Sequence, residues 1–477
     1  GPNSFVEHVF NDLGEGRPYA LLESDGHGGA AGYVTRIQAF LHAVEQARGD
    51  APASGLALAS RLARYDVPLP TTLDGDPGRT IVFGHIGGTV GRQIVAALHG
   101  QGYRAEYAGP PDAAALECGR RLCSGKECLP YQLIWGALAR HLESRSGDGD
   151  GRVLFLSVGQ GFRACRAHLF PLTEEVALGR LGHDRVEIAD LSLVFGDLTV
   201  VPTVWATVVA QDLLNALRFE AYASERSRGD ADALFARWSD ALAAELARER
   251  PRGNAATDAR SARETVTRVR EVLAGAAAAY AALPRERGRA AELRTVHLCG
   301  DLYLRVDEWG NDDLQRRLSE HGLRVLFEPF GAFFELLALR DMQVARRLSR
   351  RAVKRRATLL VMRAVVDHLL GAVQPLHPWL AWPDIHEVVA ESDRVFDGYP
   401  MGETVSTVGG ALYAWRTQPV DGVVVVSPRG CGPALLAEAL LRRRPGPPLL
   451  FVYNDGDPVD ADRLRGFAWR LHAAARR

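Results

Sequence analysis

"RTIVFGHIGGTVGRQIVAALHGQGYRAEYAG", residues 79–109, decides the fold. The stretch opens as a strand, runs through a Gly-rich loop into a helix, and ends as a second strand. Strand, loop, helix, strand is the unit from which parallel sheets are built, because parallel neighbours need a long crossover. The same signature recurs outward from this point. "RVLFLSV" (152–158) is a strand ending at Gly159, and "RTVHLCGDLYLRV" (294–306) restarts the pattern. "DGVVVVSPRGCGPALLAEALLRRR" (421–444) and "PPLLFVYNDGDPVDADRLRGFAWRLHAAA" (447–475) are strand–loop–helix units again. Toward the start, "PYALLESDGHGGAAGYVTRIQAFLHAVEQ" (18–46) reads the same way.

Residues 208–290 are rich in Ala, Arg and Glu at helical spacing, with a break at "RERPRGN" (248–254). Residues 331–373 read as one long helix or two. The expected fold is therefore α/β, with two flavodoxin- or Rossmann-like parallel-sheet units and a helical segment between them. The expected divisions are an N-terminal strand–loop–helix unit and connector over 5–75, a first α/β domain over 76–207, the helical segment over 208–290 and a second α/β domain over 291–477. A faint repeat links Ala20-Leu21-Leu22, Asp25-Gly26, Arg36 and Phe40 with Leu449-Leu450-Phe451, Asp455-Gly456, Arg463 and Phe467. Two copies of one unit and chance likeness between ordinary units both account for it.

The 477 residues carry a net charge of −1, which gives no general pull toward nucleic acid or an anionic membrane. Lys126 and Lys354 are the only lysines. "LSLVFGDLTVVPTVWATVVA" (191–210) is the most apolar window, but it contains Asp197 and Pro202 and reads as buried core rather than a membrane span. Gly1–Ser4 reads as a tag scar, and no signal peptide is visible. Six cysteines in a chain this long do not make a disulfide scaffold. A reducing cytoplasm is the expected setting, where clustered cysteines point to metal or redox work.

Three of the six lie in "CGRRLCSGKECLPYQ" (118–132), with C-x4-C-x4-C spacing. That is neither a zinc-finger nor a ferredoxin spacing. On a helix the three would point in different directions. Place in the expected fold is more informative. Cys128 and Cys431 each precede a helix with Pro in its first turn, Pro130 and Pro433. Cys165, Cys299 and Cys431 fall just past the carboxyl ends of expected strands, the edge where α/β sheets bind ligands. Helix N-termini favour thiolate, the form that binds metal. Cys128, Cys165 and Cys431, one from each of three distant loops, form the candidate set. Thiolates suit iron–sulfur clusters, zinc or copper(I). The bland account is that these are small buried residues.

Here the chain resembles the superfamily of 2-hydroxyacyl-CoA dehydratase, benzoyl-CoA reductase and double-cubane cluster proteins, closest to the carboxy-terminal part of the large activases of CoA enzymes. The resemblance rests on "ESDGHGGAAGYVTRIQAF", "ALECGRRLCSGKECLPYQLIWGAL", "GQGFRACRAHLF", "GDLYLRVDEWGNDDLQRRLSEHG", "SPRGCGPALLAEALL" and "NDGDPVDADRLRGFAWRL", in that order along the chain. It implies that Cys128, Cys165 and Cys431 bind a 4Fe-4S cluster. It further implies a low-potential reductase or dehydratase-like component with a small-molecule substrate, fed with electrons by an ATP-dependent iron–sulfur activator protein. A dimer is among the assemblies it allows. Cys118, Cys123 and Cys299 are the candidates for a further ligand, and six cysteines match the count of a double-cubane 8Fe-9S cluster. The chain departs from the pattern at Arg163-Ala164, where the family has Gly-Pro, and it contains no G-x-x-x-x-G-K-[ST] loop.

Two other functions are open at this level. One is a non-catalytic assembly protein that docks a cluster-bearing partner. The other is a nicotinamide-dependent enzyme using "FGHIGGTVG" (83–91), although its glycines depart from G-x-G-x-x-G. His27 and His85 sit in Gly-rich loops, where a hydrogen-bonded loop histidine is the expected role. Lys126, Glu127 and Arg166 flank the candidate cysteines, either tuning a cluster or as solvated charges. The basic run 345–357 reads as a solvated face or a docking surface for an acidic partner.

Overall fold

The computed structural model describes residues 20, 30–46, 79–123, 127–145, 152–157, 165–183, 185–190, 201–250, 255–286, 288, 292–347, 353–396, 402–444 and 446–474. Of the expected N-terminal unit it describes Ala20 and one helix, α1 (Ala30–Gln46). The rest of 5–75, with His27 and the first copy of the faint repeat, lies outside the described residues, as does Lys126.

Two four-stranded sheets carry the architecture, and every strand pair in them is parallel. The first contains β1 (Thr80–Phe83), β2 (Ala105–Tyr107), β3 (Val153–Ser157) and β4 (Val186–Asp190), in the order β2-β1-β3-β4. Its crossovers are α2 (Val90–Gly100), the pair α3 (Ala113–Leu122) and α4 (Leu129–Ser144), and α5 (Phe170–Arg180). The second contains β5 (Arg294–Gly300), β6 (Leu323–Phe327), β7 (Gly422–Pro428) and β8 (Leu449–Asn454), in the order β6-β5-β7-β8. Both sheets thus run second, first, third, fourth. In each, the chain switches direction across the sheet after its second strand. β1, β3 and β7 are buried at every position, so their runs are continuously apolar rather than alternating.

Three helices follow β4: α6 (Val201–Tyr222), α7 (Asp230–Leu246) and α8 (Ala255–Ala281). The expected break at 248–254 separates the last two. The division expected after residue 207 instead falls inside α6. This helix is buried on nearly all sides, so its sequence has no polar face to mark a boundary. It wedges between the two units and is tied to the second by Trp205 and Asp212. Trp205 Nε1 donates to the Met362 carbonyl at 2.8 Å. The Asp212 carboxylate accepts the N–H groups of Phe330 and Gly331 at 2.9 and 2.8 Å. Those N–H groups open α10 (Phe330–Arg347), and Met362 lies in α11 (Val353–Val373). Residues 331–373 are therefore two helices, with 348–352 of the basic run outside the described residues. One contiguous core runs from Ile81 and Phe155 through Trp205 and Val209 to Val296 and Val424. Each fully buried large side chain there contributes about 1.5–3 kcal/mol.

The second unit is completed by α9 (Leu314–Glu320), α12 (Ile385–Asp393), α13 (Glu403–Thr417), α14 (Gly432–Leu441) and α15 (Ala461–Ala474). Among the described residues, no helix is long and apolar enough to cross a membrane.

Helices α3 and α4 touch backbone to backbone. A Cβ on Gly119 would lie 1.9 Å from the Gln132 carbonyl oxygen, and one on Gly136 would lie 1.8 Å from that of Ala115. Only glycine fits at both points. The close crossing draws the end of α3 and the start of α4 together, and with them Cys123 and Cys128.

Candidate functional site

The loops at the carboxyl ends of the two sheets meet. His85, after β1, bonds Asp307, which follows β5, with Nε2 2.6 Å from Oδ1. Arg166, after β3, donates to the Gly430 carbonyl after β7 at 3.4 Å. Both sheets therefore turn their ligand-binding edges toward one region, next to the strand-order switch of each.

The three candidate cysteines converge there. Each sits at the N-terminus of a helix: Cys128 at α4, Cys431 at α14 and Cys165 at a 3₁₀ turn (Arg166–Leu169) that runs into α5. Pro130 and Pro433 occupy first turns, as the sequence implied. The Cys165 sulfur accepts the Ala167 N–H at 3.4 Å. Cys128 and Cys165 line an open cavity whose empty space, part of it continuous with solvent, is about 560 Å³. Cys431 is not on its wall. It stands next to two acids that are, Asp301 and Glu403, whose charges act on its thiol. Cys165 is the middle member, exposed to the charges of both Cys128 and Cys431.

Burial pushes all three thiols up. Cys128 rises to about 11, with the Tyr131 N–H and the Arg166 guanidinium pulling the other way and Asp301 pushing it further. Cys431 rises to about 12, with Glu403 and Asp301 adding to burial and the Ser427 hydroxyl and Ala434 N–H opposing. Cys165 lies well above the ordinary thiol value, through burial and then Glu403. Without a cation these are neutral thiols, and a bound cation is what would draw off their protons.

The other cysteines separate cleanly. Cys299, expected past the end of its strand, lies within β5 opposite Val425 and is packed with Val408 and Ala411. The strand runs on to Gly300 because a buried thiol suits a sheet interior as well as an aliphatic residue does. Cys118 is buried in α3. Cys123 caps the end of α3, and its thiol is raised by burial, then by Glu127 and Cys128. Of the three candidates for a further ligand, Cys123 is the one close to the set.

Thiol donors suit an iron–sulfur cluster, zinc or copper(I). Among the described residues, no group of three or more His, Cys, Asp or Glu is placed to hold one metal ion. Two of the soft donors, Cys128 and Cys165, line the open pocket, and Cys431 stands off its wall beside Asp301 and Glu403. Helix N-termini and N–H groups beside the sulfurs suit a cluster, whose potential depends on hydrogen bonds to sulfur.

The second unit adds residues that the sequence reading passed over. Asp301 follows β5, and its Oδ1 accepts the N–H groups of Tyr303 and Leu304 at 3.1 and 2.8 Å. Glu403 opens α13 and accepts the Leu302 N–H at 3.0 Å. Burial raises Asp301 to about 6, against the pull of the Leu304 N–H and Arg305. It raises Glu403 to about 8, and Asp301 adds to the rise. Behind them the fully buried Arg305 pairs with Glu328 and donates to the Pro329 carbonyl at 3.0 Å. "GDLYLR" carried Asp301 in plain view, but only the resemblance drew attention to that segment. Glu403 has no sequence signal, because it reaches the site through a helix start about a hundred residues away.

His85 is a buried, hydrogen-bonded loop histidine, as expected, with Nδ1 bonded to the Tyr107 hydroxyl. The glycines of its loop are explained by packing. A Cβ on Gly87, which has φ +103°, would lie 2.7 Å from Val306 Cγ2, and one on Gly91 would lie 2.8 Å from the Tyr107 ring. The loop is pressed against residues 303–306 of the other unit. No protein-family model matches the chain, and no curated protein is significantly similar to it in sequence.

Proposed function

We propose that this chain is an iron–sulfur protein of the 2-hydroxyacyl-CoA dehydratase, benzoyl-CoA reductase and double-cubane type. Cys128, Cys165 and Cys431 would hold the cluster. The observation that carries the reading is that three cysteines far apart in sequence, each opening a helix, gather where the carboxyl edges of two parallel sheets meet. When bound, a 4Fe-4S cluster supplies low-potential one-electron chemistry.

The chain's own residues then have definite tasks. The three thiolates bind, and the N–H groups of Tyr131, Ala167 and Ala434 stabilise negative charge on sulfur. Cys123 is the candidate for a fourth thiolate or for a share in a double cubane. Glu403, raised to about 8, holds a proton at the cavity wall at neutral pH, while Asp301, raised to about 6, releases its own; Ile86, Phe170, Phe330 and Phe334 give the wall its apolar face. A small-molecule substrate occupies the cavity in this reading, and an ATP-dependent activator delivers the electrons. A cytoplasmic setting suits six free thiols and a cluster of low potential.

The test is anaerobic purification or reconstitution, followed by iron and sulfide analysis and electron paramagnetic resonance. About four irons per chain are expected, or about eight with a double cubane. A colourless protein, or one that takes only zinc, would end this reading.

A further inference from the structure

Helix α11 has two faces of different character. Its inner face, with Met362, Val366, Leu369 and Val373, is buried in the common core. The Trp205 indole donates to the Met362 carbonyl and pins the helix from that side. The outer face repeats an apolar residue and leaves it open. Val353 is 77% exposed and Leu360 is 63% exposed, and Ala357 and Ala364 are exposed with them. These four positions are spaced four, three and four residues apart. That is the a/d spacing with which one helix packs along another, Val353 and Leu360 at d and Ala357 and Ala364 at a. Single exposed apolar side chains are ordinary on a protein surface, but a seam in register over about three turns is not.

Charge narrows what covers the seam. Arg356 and Arg363 are exposed at its g positions, and Lys354 falls at an e position. The run leading into it, 345–357, has seven basic residues and no acidic one. Helix α11 itself carries no acid until Asp367, which ends the seam and pairs with Arg363 at 3.1 Å. Helix α8 lies alongside, with Arg270 Nε donating to the His368 carbonyl at 3.1 Å. Burial lowers the His368 imidazole, and Arg270 and Arg263 lower it further, so both guanidiniums stand against this part of α11. Glu264 and Glu271 on α8 offset part of that charge, and the excess is greatest where α11 begins.

We propose that the outer face of α11 docks an acidic, amphipathic helix of a protein partner, whose apolar side chains cover the Val353–Ala364 seam and whose carboxylates meet Arg356 and Arg363. Three other occupants fit less well. A second copy of α11 would set arginine against arginine. Helix α1 exposes Val34, Ile37 and Leu41, but Glu45 is its one acid. A bilayer would gain little from one Leu, one Val and two Ala, because interfacial helices insert bulkier side chains. The two alanines instead let a partner helix approach closely. Nothing in this surface involves the thiols, so it stands apart from the cluster reading.

The experiment titrates the full chain into fluorescent peptides about three heptads long and follows anisotropy. The probe has Leu at a and d and Glu at e and g. One control carries Lys in place of Glu, and another has the same composition with its leucines shuffled. The acidic probe should bind saturably and more weakly as salt rises, and both controls at least about tenfold more weakly. Leu360→Glu should weaken the probe at least about tenfold, and Arg356→Ala with Arg363→Ala about three- to tenfold with a flatter salt dependence. Trp469→Glu, at a 70% exposed position on α15, should leave binding unchanged. The proposal is overturned by no saturable binding, by a control that binds as tightly as the probe, or by an unaltered affinity in Leu360→Glu. It is equally overturned if this face turns out to serve another occupant. Self-association of the parent that Leu360→Glu abolishes, read by sedimentation, would assign it to a second copy. Binding to phosphatidylserine–phosphatidylcholine vesicles that Leu360→Glu abolishes would assign it to a membrane.

Discussion

The two sheets share one strand order, yet the loops at their carboxyl ends are furnished differently. The first unit brings two thiols, Cys128 and Cys165, and a histidine already committed to its neighbours. The second brings one thiol, Cys431, with two acids and a buried guanidinium, Arg305. Topology places a crevice in each unit, and side chains decide what each crevice contributes. Neither half alone has the donor set. If the cluster reading holds, breaking either half should therefore be equally damaging. Cys128→Ser and Cys165→Ser from the first unit, and Cys431→Ser from the second, should each strip or gravely weaken iron binding after anaerobic reconstitution. Cys299→Ser and Cys118→Ser should retain it. If Cys431→Ser keeps full iron while the other two lose it, the site belongs to the first unit alone.

Stability should divide along the same line. Arg305 is 1% exposed and lies against Glu328, with Asp301 and Glu403 close enough to feel its charge. Removing it leaves buried acid without compensation. Arg305→Met should cost about 3–5 kcal/mol by urea denaturation. A loss below about 1 kcal/mol would mean that Glu328 simply takes up a proton. In the first unit the corresponding weak point is geometric. Gly119→Ala pushes a methyl group into the Gln132 backbone and should cost about 1–3 kcal/mol. It should also loosen the turn that brings Cys123 to Cys128, so cysteine labelling of the metal-free chain should quicken at Cys123. Unchanged labelling would show that the turn holds without the close helix crossing.

The difference between the halves also explains what the sequence could reveal. Strands, crossovers and the helix starts at Cys128 and Cys431 are local, and their signals lie within a few residues: an apolar run, a Gly-rich loop, a Pro in the first turn. The first unit's contribution is of this kind. The second unit's acids become visible only when β5 and α13 are brought together by the fold, with Glu403 accepting a hydrogen bond from the N–H of Leu302. Cys299 was misplaced by two residues of strand, because nothing in "HLCG" distinguishes a core thiol from an edge thiol. The position 207 falls inside α6, which is buried nearly all round, and a helix without a polar face carries no period by which its start could be read.

A last effect, graded with pH, sharpens the contrast between the acids themselves. Those of the second unit come as a pair near Arg305. The first unit has Glu174 on α5, 1% exposed, raised by burial from 4.5 to about 8, with only the Ser157 hydroxyl acting to lower it. The folded chain therefore holds this proton across a range in which the unfolded chain releases it. Glu174's contribution to stability is full below its unfolded value of 4.5 and is lost as pH rises toward about 8. The slope cannot exceed about 1.4 kcal/mol per pH unit for one group. Urea midpoints of the parent and Glu174→Gln, compared at several pH values across this window, isolate the effect, because every other titrating group cancels in the difference. The parent should lose ground to the amide variant steadily as pH rises. A difference that stays flat would mean that Glu174 is ionised in the folded chain, with a partner or solvent that its burial does not suggest.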